Sequence, residues 1–228
     1  MMNALYDNSA DILRRIYGRR IATPAVLDPA SHFPSLSRYA GSWRELREEA
    51  LVIQKSLASV PRFHEIMPQQ AAISANDQRD WRLFVLKAYG VSFEANLRRC
   101  PRLAALLRAS PEVLSAALSF LAPGKHVPEH RGPFRGIIRY YLALSVPLAA
   151  DGLPGAILTI DGIEHRLGDG EWLLWDDTYT HEIRNHAAGV RIALLLDVRR
   201  NGMPLDLQLL ARFLIAAAGA AIRLRPPI

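Results

Sequence analysis

The sequence predicts a mainly β domain with flanking helices, closed as a jelly roll, and three observations lead there. From about Leu114 the chain breaks into short apolar or alternating runs at 117–121, 136–146, 156–160, 163–167, 171–175, 180–184 and 190–198. Turn signals separate them: Pro123-Gly124, Asp151-Gly152, Pro154-Gly155, Asp161-Gly162, Gly168-Asp169-Gly170 and Ala188-Gly189. Asp161-Gly162 between two such runs is the strongest hairpin signal in the chain. Seven or so strands at this spacing imply a sandwich or barrel, for which a jelly roll is the natural closure.

Upstream, residues 3–20 carry Leu5, Ile12, Leu13 and Ile16 among polar residues, the spacing of a short amphipathic helix. Pro24 and Pro29 follow as an extended connection. Ser42-Trp43-Arg44-Glu45 has the form of a capping box, with Ser42 accepting a backbone N–H and Glu45 reaching back, and opens a helix to about Leu57. Pro61 and Pro68 end that region, and the polar stretch to Asp80 reads as loop. Residues 81–89 alternate as a short strand. Residues 97–109 have helical spacing, with Leu103, Leu106 and Leu107 on one side and Ser110-Pro111 as the stop. The organisation expected is one overall domain: a helical extension over 1–80, a β core over 81–200 and a C-terminal helix over 201–228.

With 228 residues, half of them apolar, the chain can bury a substantial core. Its net charge of +6 comes mainly from scattered arginines, since only Lys55, Lys87 and Lys125 are lysines. No basic stripe with interleaved aromatics is visible, which argues against a nucleic-acid partner and leaves acidic lipid or an acidic substrate open. The single cysteine, Cys100, excludes an intrachain disulfide framework and any cysteine-rich metal site, and fits a reducing cytoplasm. The start, Met1-Met2-Asn3-Ala4-Leu5, does not look like a signal peptide. The apolar run 213–222, bounded by Arg212 and Arg223, falls short of the roughly 20 residues of a spanning helix, so a packed or interfacial helix is expected, with peripheral contact at the inner face of a membrane.

Two histidines and an arginine stand out within the β region. His130 lies in a Pro- and Gly-studded segment, 123–133, that cannot be regular helix and reads as a rigid loop entering a strand. His181 follows Trp175-Asp176-Asp177-Thr178-Tyr179-Thr180, and Arg191 opens an otherwise apolar strand. Alternation along 136–146 puts Arg139, Tyr141, Ala143 and Ser145 on one face, and along 190–198 puts Arg191, Ala193, Leu195 and Asp197 together. Arg191 then points where water is scarce and needs an anion: either a bound carboxylate held bidentately or a structural partner among Asp176, Asp177 and Glu129. A lone histidine is more often a polar core or surface residue than a ligand; two in one β block, with open positions, suit iron(II) better than structural zinc.

These motifs resemble the aspartyl/asparaginyl β-hydroxylase family: the run 123–133, the Arg139 strand, 175–182 and the later Arg191, a match spanning about 113–199. Upstream, 42–51, 81–86 and Cys100-Pro101 look like the bacterial lipid A and ornithine-lipid hydroxylase branch. The resemblance implies a double-stranded β-helix and an iron(II)- and 2-oxoglutarate-dependent dioxygenase that uses O2 to hydroxylate an unactivated C–H bond. It makes His130 and His181 the iron ligands. Arg191 with Ser119 would hold the distal carboxylate of 2-oxoglutarate, Arg139 would lie near its metal-bound end, and Tyr141 stands where some relatives have histidine. Gly132 departs from the lipid branch, which has an aspartate there, and resembles the animal peptide-hydroxylase branch; Asp177 would then orient a water at the position left open. His126 reads as loop support, and His32, His64, His165 and His186 as solvated or structural.

The substrate implied is a lipid acyl chain or an aspartyl or asparaginyl side chain in a peptide or small metabolite. The competing expectations are a cupin-like protein that binds metal or carboxylate without turnover, and a structural sandwich with incidental histidines.

Overall fold

The computed structural model describes residues 2–224, with residues 2–6 as backbone only. Helices α1 (Met2–Gly18), α2 (Pro29–His32), α3 (Leu36–Gly41), α4 (Trp43–Gln54) and α5 (Phe63–Ile66) come first, with 3-10 turns at Leu57–Ser59 and Pro68–Ile73. Strands β1 (Trp81–Ala88) and β2 (Val91–Ser92) lead to α6 (Glu94–Leu97) and α7 (Pro101–Arg108). Then follow β3 (Val113–Leu121), β4 (His126–His130), β5 (Ile137–Ser145), β6 (Ala156–Ile160), β7 (Ile163–His165), β8 (Trp172–Trp175), β9 (His181–Asn185) and β10 (Arg191–Arg199), and α8 (Leu205–Arg223) closes the described chain.

Two antiparallel sheets face each other, one in the order β2-β1-β3-β10-β5-β8 and the other β4-β9-β6-β7. From β3 onward the chain crosses repeatedly between the sheets, and β10 returns between β3 and β5. This is a double-stranded β-helix, the jelly roll expected from the turn spacing. Period-2 alternation decides what each face meets. Ile138, Tyr140, Leu142 and Leu144 of β5, with Ile192, Leu194, Leu196 and Val198 of β10, pack outward on Phe33, Leu36, Tyr39, Leu46 and Ile53 of the N-terminal helical layer. Each such aliphatic side chain contributes about 1.5–3 kcal/mol by leaving water. The opposite face sends Tyr141, Ala143 and Ala193 between the sheets, against Leu158, Ile160 and Trp175. At the hairpin between β6 and β7, Asp161 and Gly162 both take positive φ (49° and 79°), the conformation this tight turn requires.

Several expectations need correcting. Segment 126–130 is not a loop but strand β4, at the edge of the smaller sheet; its pairing with β9 shifts register between Val127 and His130, which accommodates the missing N–H of Pro128. Ser42 precedes α4 but makes no side-chain cap; its hydroxyl accepts from Arg102 Nη2 at 2.7 Å instead. The helix expected over 97–109 is interrupted, because Pro101 starts a new helix. The polar stretch before Asp80 opens with a 3-10 turn, Pro68–Ile73, and the short helix α5 lies between Pro61 and Pro68. Helix α8, Leu205–Arg223, lies within the expected 201–228 but is longer than its apolar run 213–222, so its 19 residues have the length and composition of a membrane-crossing helix. The predicted side-chain role of Leu5 lies outside the described residues.

Candidate active site

β4 and β9 pair so that His130 stands directly opposite His181, with ring centroids 4.2 Å apart. Each Nδ1 is hydrogen-bonded to the carbonyl two residues back in its own chain, His130 to Pro128 at 2.8 Å and His181 to Tyr179 at 2.9 Å. With Nδ1 donating, each Nε2 keeps its lone pair. Burial pushes both imidazoles down, His130 to about 4 and His181 to about 3, so both are neutral at pH 7.

Asp177, on the connection between β8 and β9, lines the same cavity as this pair. Its carbonyl accepts from the Gly132 N–H at 2.7 Å. Burial raises its carboxyl to about 7 although the Arg139 cation opposes the shift, and Oδ1 has no hydrogen-bond partner. Arg139 is drawn to Asp197, its register partner on β10, at 2.8 Å, and lies 3.4 Å from Asp177. These residues share a cavity of about 190 Å³ whose other walls are largely apolar: Phe63, Ile66, Met67, Ile73 and Leu83.

Arg191, Ser119 and Tyr141 form a separate cluster that does not line this cavity. The Arg191 side chain is 2 % exposed; its Nη1 reaches Ser119 Oγ at 3.3 Å, and its guanidinium carbon lies 5.6 Å from the Tyr141 ring centre. None of the structural partners expected for it is engaged. Asp177 faces Arg139, Asp176 is taken by Arg135 and Arg200, and Glu129 is exposed. Among the described residues Arg191 has no ion pair, and its Nε has no partner at all. Ser119 Oγ also accepts from Trp81 Nε1 at 3.0 Å, so its own O–H remains available to donate. Trp81 lines the cavity as well, and is therefore the link between the two clusters.

His126 turns away to Glu182 at 2.7 Å, and His64 bonds Ser74. His186 is exposed, whereas His32 and His165 are partly buried, each with one ring nitrogen lacking a partner. Sequence reasoning put Asp197 on the correct face but did not pair it with Arg139, and it missed the roles of Trp81 and the apolar wall. Phe63, Ile66 and Met67 do carry an i, i+3, i+4 signal, obscured by the polar residues after them.

The family model for Aspartyl/Asparaginyl beta-hydroxylase matches residues 40–201, which hold every residue of both clusters. The chain belongs to this family. An ornithine lipid ester-linked acyl 2-hydroxylase from Rhizobium tropici is 32% identical over 178 residues, 78% of this chain and 61% of that protein. Human aspartyl/asparaginyl beta-hydroxylase is 24% identical over 162 residues, 69% of this chain and 20% of that protein. The chain thus spans under two thirds of the length of either relative. Among solved structures, a predicted oxalate decarboxylase from Thermotoga maritima overlaps 53% of this chain and 81% of its own, with 17% identity and a TM-score of 0.34; the jelly roll itself is carried by the strand order above.

Proposed function

We propose that this member of the β-hydroxylase family is an iron(II)- and 2-oxoglutarate-dependent hydroxylase acting on an aliphatic chain. The observation that carries the reading is the paired, neutral imidazoles lining one cavity beside the unpartnered Oδ1 of Asp177. His130 and His181 fit a ferrous ion as its two nitrogen donors, because each ring is oriented by its Nδ1 bond and has Nε2 free for a metal. Gly132 brings no carboxylate to the set; the Asp177 carboxylate, which lines the same cavity, would orient a water there. Bound iron with 2-oxoglutarate and O2 supplies the oxidising power for placing oxygen in a C–H bond.

The chain's own groups do the rest. Arg191 is a buried cation lacking an anion, and with the Ser119 hydroxyl it suits the distal carboxylate of a keto-diacid, with the Tyr141 ring fixing the guanidinium plane. Arg139, neutralised by Asp197, holds Asp177 in place. The walls built by Phe63, Ile66, Met67 and Ile73 exclude water and favour an acyl chain over a charged aspartyl side chain, in keeping with what the Rhizobium tropici relative is named for.

Anaerobic addition of iron(II) and then 2-oxoglutarate tests the reading. A visible charge-transfer band is expected, followed by succinate release that rises with an acyl-lipid substrate and not with an aspartyl peptide. A silent spectrum with metal bound would favour the non-catalytic binder.

A further inference from the structure

Helix α8 carries more apolar surface than the fold covers. One edge, Leu207, Ala211, Ile215 and Gly219, is buried against the domain, and the Tyr17 hydroxyl of α1 donates to the Leu207 carbonyl at 2.9 Å. The other side shows Leu205, Leu209 and Phe213 at 71, 54 and 68 % exposure, one turn apart, and Ala216, Ala217 and Ala220 continue it. A surface helix normally turns polar groups to that side. Here only Asp206, Arg212 and Arg223 carry charge along the whole helix. On α1, which packs beside α8, Ile12 and Ile16 are exposed too.

The charges around this face are mostly of one sign. Arg15, Arg19, Arg212 and Arg223 are exposed and make no ion pair among the described residues, while Asp11 is engaged by Arg14 and Asp206 by Arg20. We propose that this face docks on an anionic lipid bilayer, with Leu205, Leu209 and Phe213 among the upper acyl segments and the arginines at the headgroups. A second copy of the chain would set the same arginines against each other, whereas acidic headgroups neutralise them. Although α8 is long and apolar enough to cross a membrane, its buried edge and the Tyr17 bond hold it to the domain, so it lies in the interface plane.

The helix is also placed to matter. A Cβ at Gly219 would come within 2.8 Å of the Tyr89 carbonyl oxygen, so α8 lies directly against the turn after β1, and Tyr89 lines the cavity of the candidate active site. Docking would therefore hold that cavity next to a store of acyl chains. This last point rests on the hydroxylase reading; the docking itself does not.

Flotation of the purified full chain with vesicles tests it. The chain is expected to float with phosphatidylcholine vesicles containing phosphatidylglycerol, to stay behind with phosphatidylcholine alone, and to be released by high salt. The double variant Leu209→Asp, Phe213→Asp should lose at least tenfold in partitioning with an unchanged melting temperature and unchanged iron and 2-oxoglutarate binding. Arg212→Glu with Arg223→Glu should abolish the preference for anionic vesicles. Equal flotation of wild type and the aspartate variant, no flotation, salt- and carbonate-resistant insertion, or a dimer in light scattering that the aspartate variant breaks would each overturn the proposal. Charge-transfer titration of the same preparations separates the two readings, since docking without the band removes the hydroxylase and leaves the surface.

Discussion

The carboxylate of Asp177 fills the space that a side chain at position 132 would need: a Cβ built on Gly132 would lie 2.2 Å from Asp177 Oδ1. A side chain at 132 can therefore be admitted only if the buried Asp177 carboxylate moves. Gly132→Ala should destabilise the fold by about 1–3 kcal/mol, as overpacking in tight interiors does. Gly132→Asp should be worse alone and rescued by Asp177→Gly, which thermal melts of the single and double variants will measure. Additive losses would remove the relationship.

His130→Ala and His181→Ala should each abolish iron(II) binding and succinate formation, because one imidazole leaves too few fixed donors. His126→Ala, whose ring faces Glu182, should retain both. Calorimetric titration of iron(II) under argon distinguishes them, and full turnover in the His181 variant would take that residue out of the site.

Arg191→Met should leave the ligand-free protein as stable as wild type or more so, since replacing a buried, unpaired charge by an apolar group removes a desolvation cost. The same variant should weaken 2-oxoglutarate by about 1.5–3 kcal/mol for each charge-assisted bond lost, roughly 10- to 150-fold, while iron affinity stays. A stability loss without any change in 2-oxoglutarate affinity would assign Arg191 to structure alone.

Metal-free stability should rise with pH from about 4 to 6.5. His130 and His181, lowered from 6.5 to about 4 and about 3, take up two protons on unfolding in that window; Asp177, raised from 3.8 to about 7, gives one up. The unfolded chain then binds one proton more than the native one, a slope of about 1.4 kcal/mol per pH unit. Above 6.5 the histidine contribution is complete and the Asp177 contribution is lost as pH passes about 7, so the curve levels off there. Asp177→Asn should roughly double the acid-side slope in urea titrations.

The strands of the jelly roll were legible because burial on one face imposes alternation, and the faces assigned to Arg139, Tyr141, Arg191 and Asp197 follow from it. Pairing partners were not legible. Register decides that Asp197 serves Arg139 on the neighbouring strand and leaves Arg191 without an anion. Pro128 disguised β4 as loop, because local propensity knows nothing of an edge position or a register shift. The capping box at Ser42 failed for a tertiary reason, the claim of Arg102 on its hydroxyl. The apolar wall at 63–73 escaped because short helical turns lack a full period of pattern.

Trp81, which lines the cavity and donates to Ser119 beside the sealed Arg191, carries a kinetic corollary. Under the proposed function, a keto-diacid that reaches that guanidinium past Trp81 would enter through the cavity that an aliphatic chain would later plug. Turnover would then follow a compulsory queue, the small dianion first and the greasy tail second, and excess tail would act as a competitive blocker of the dianion.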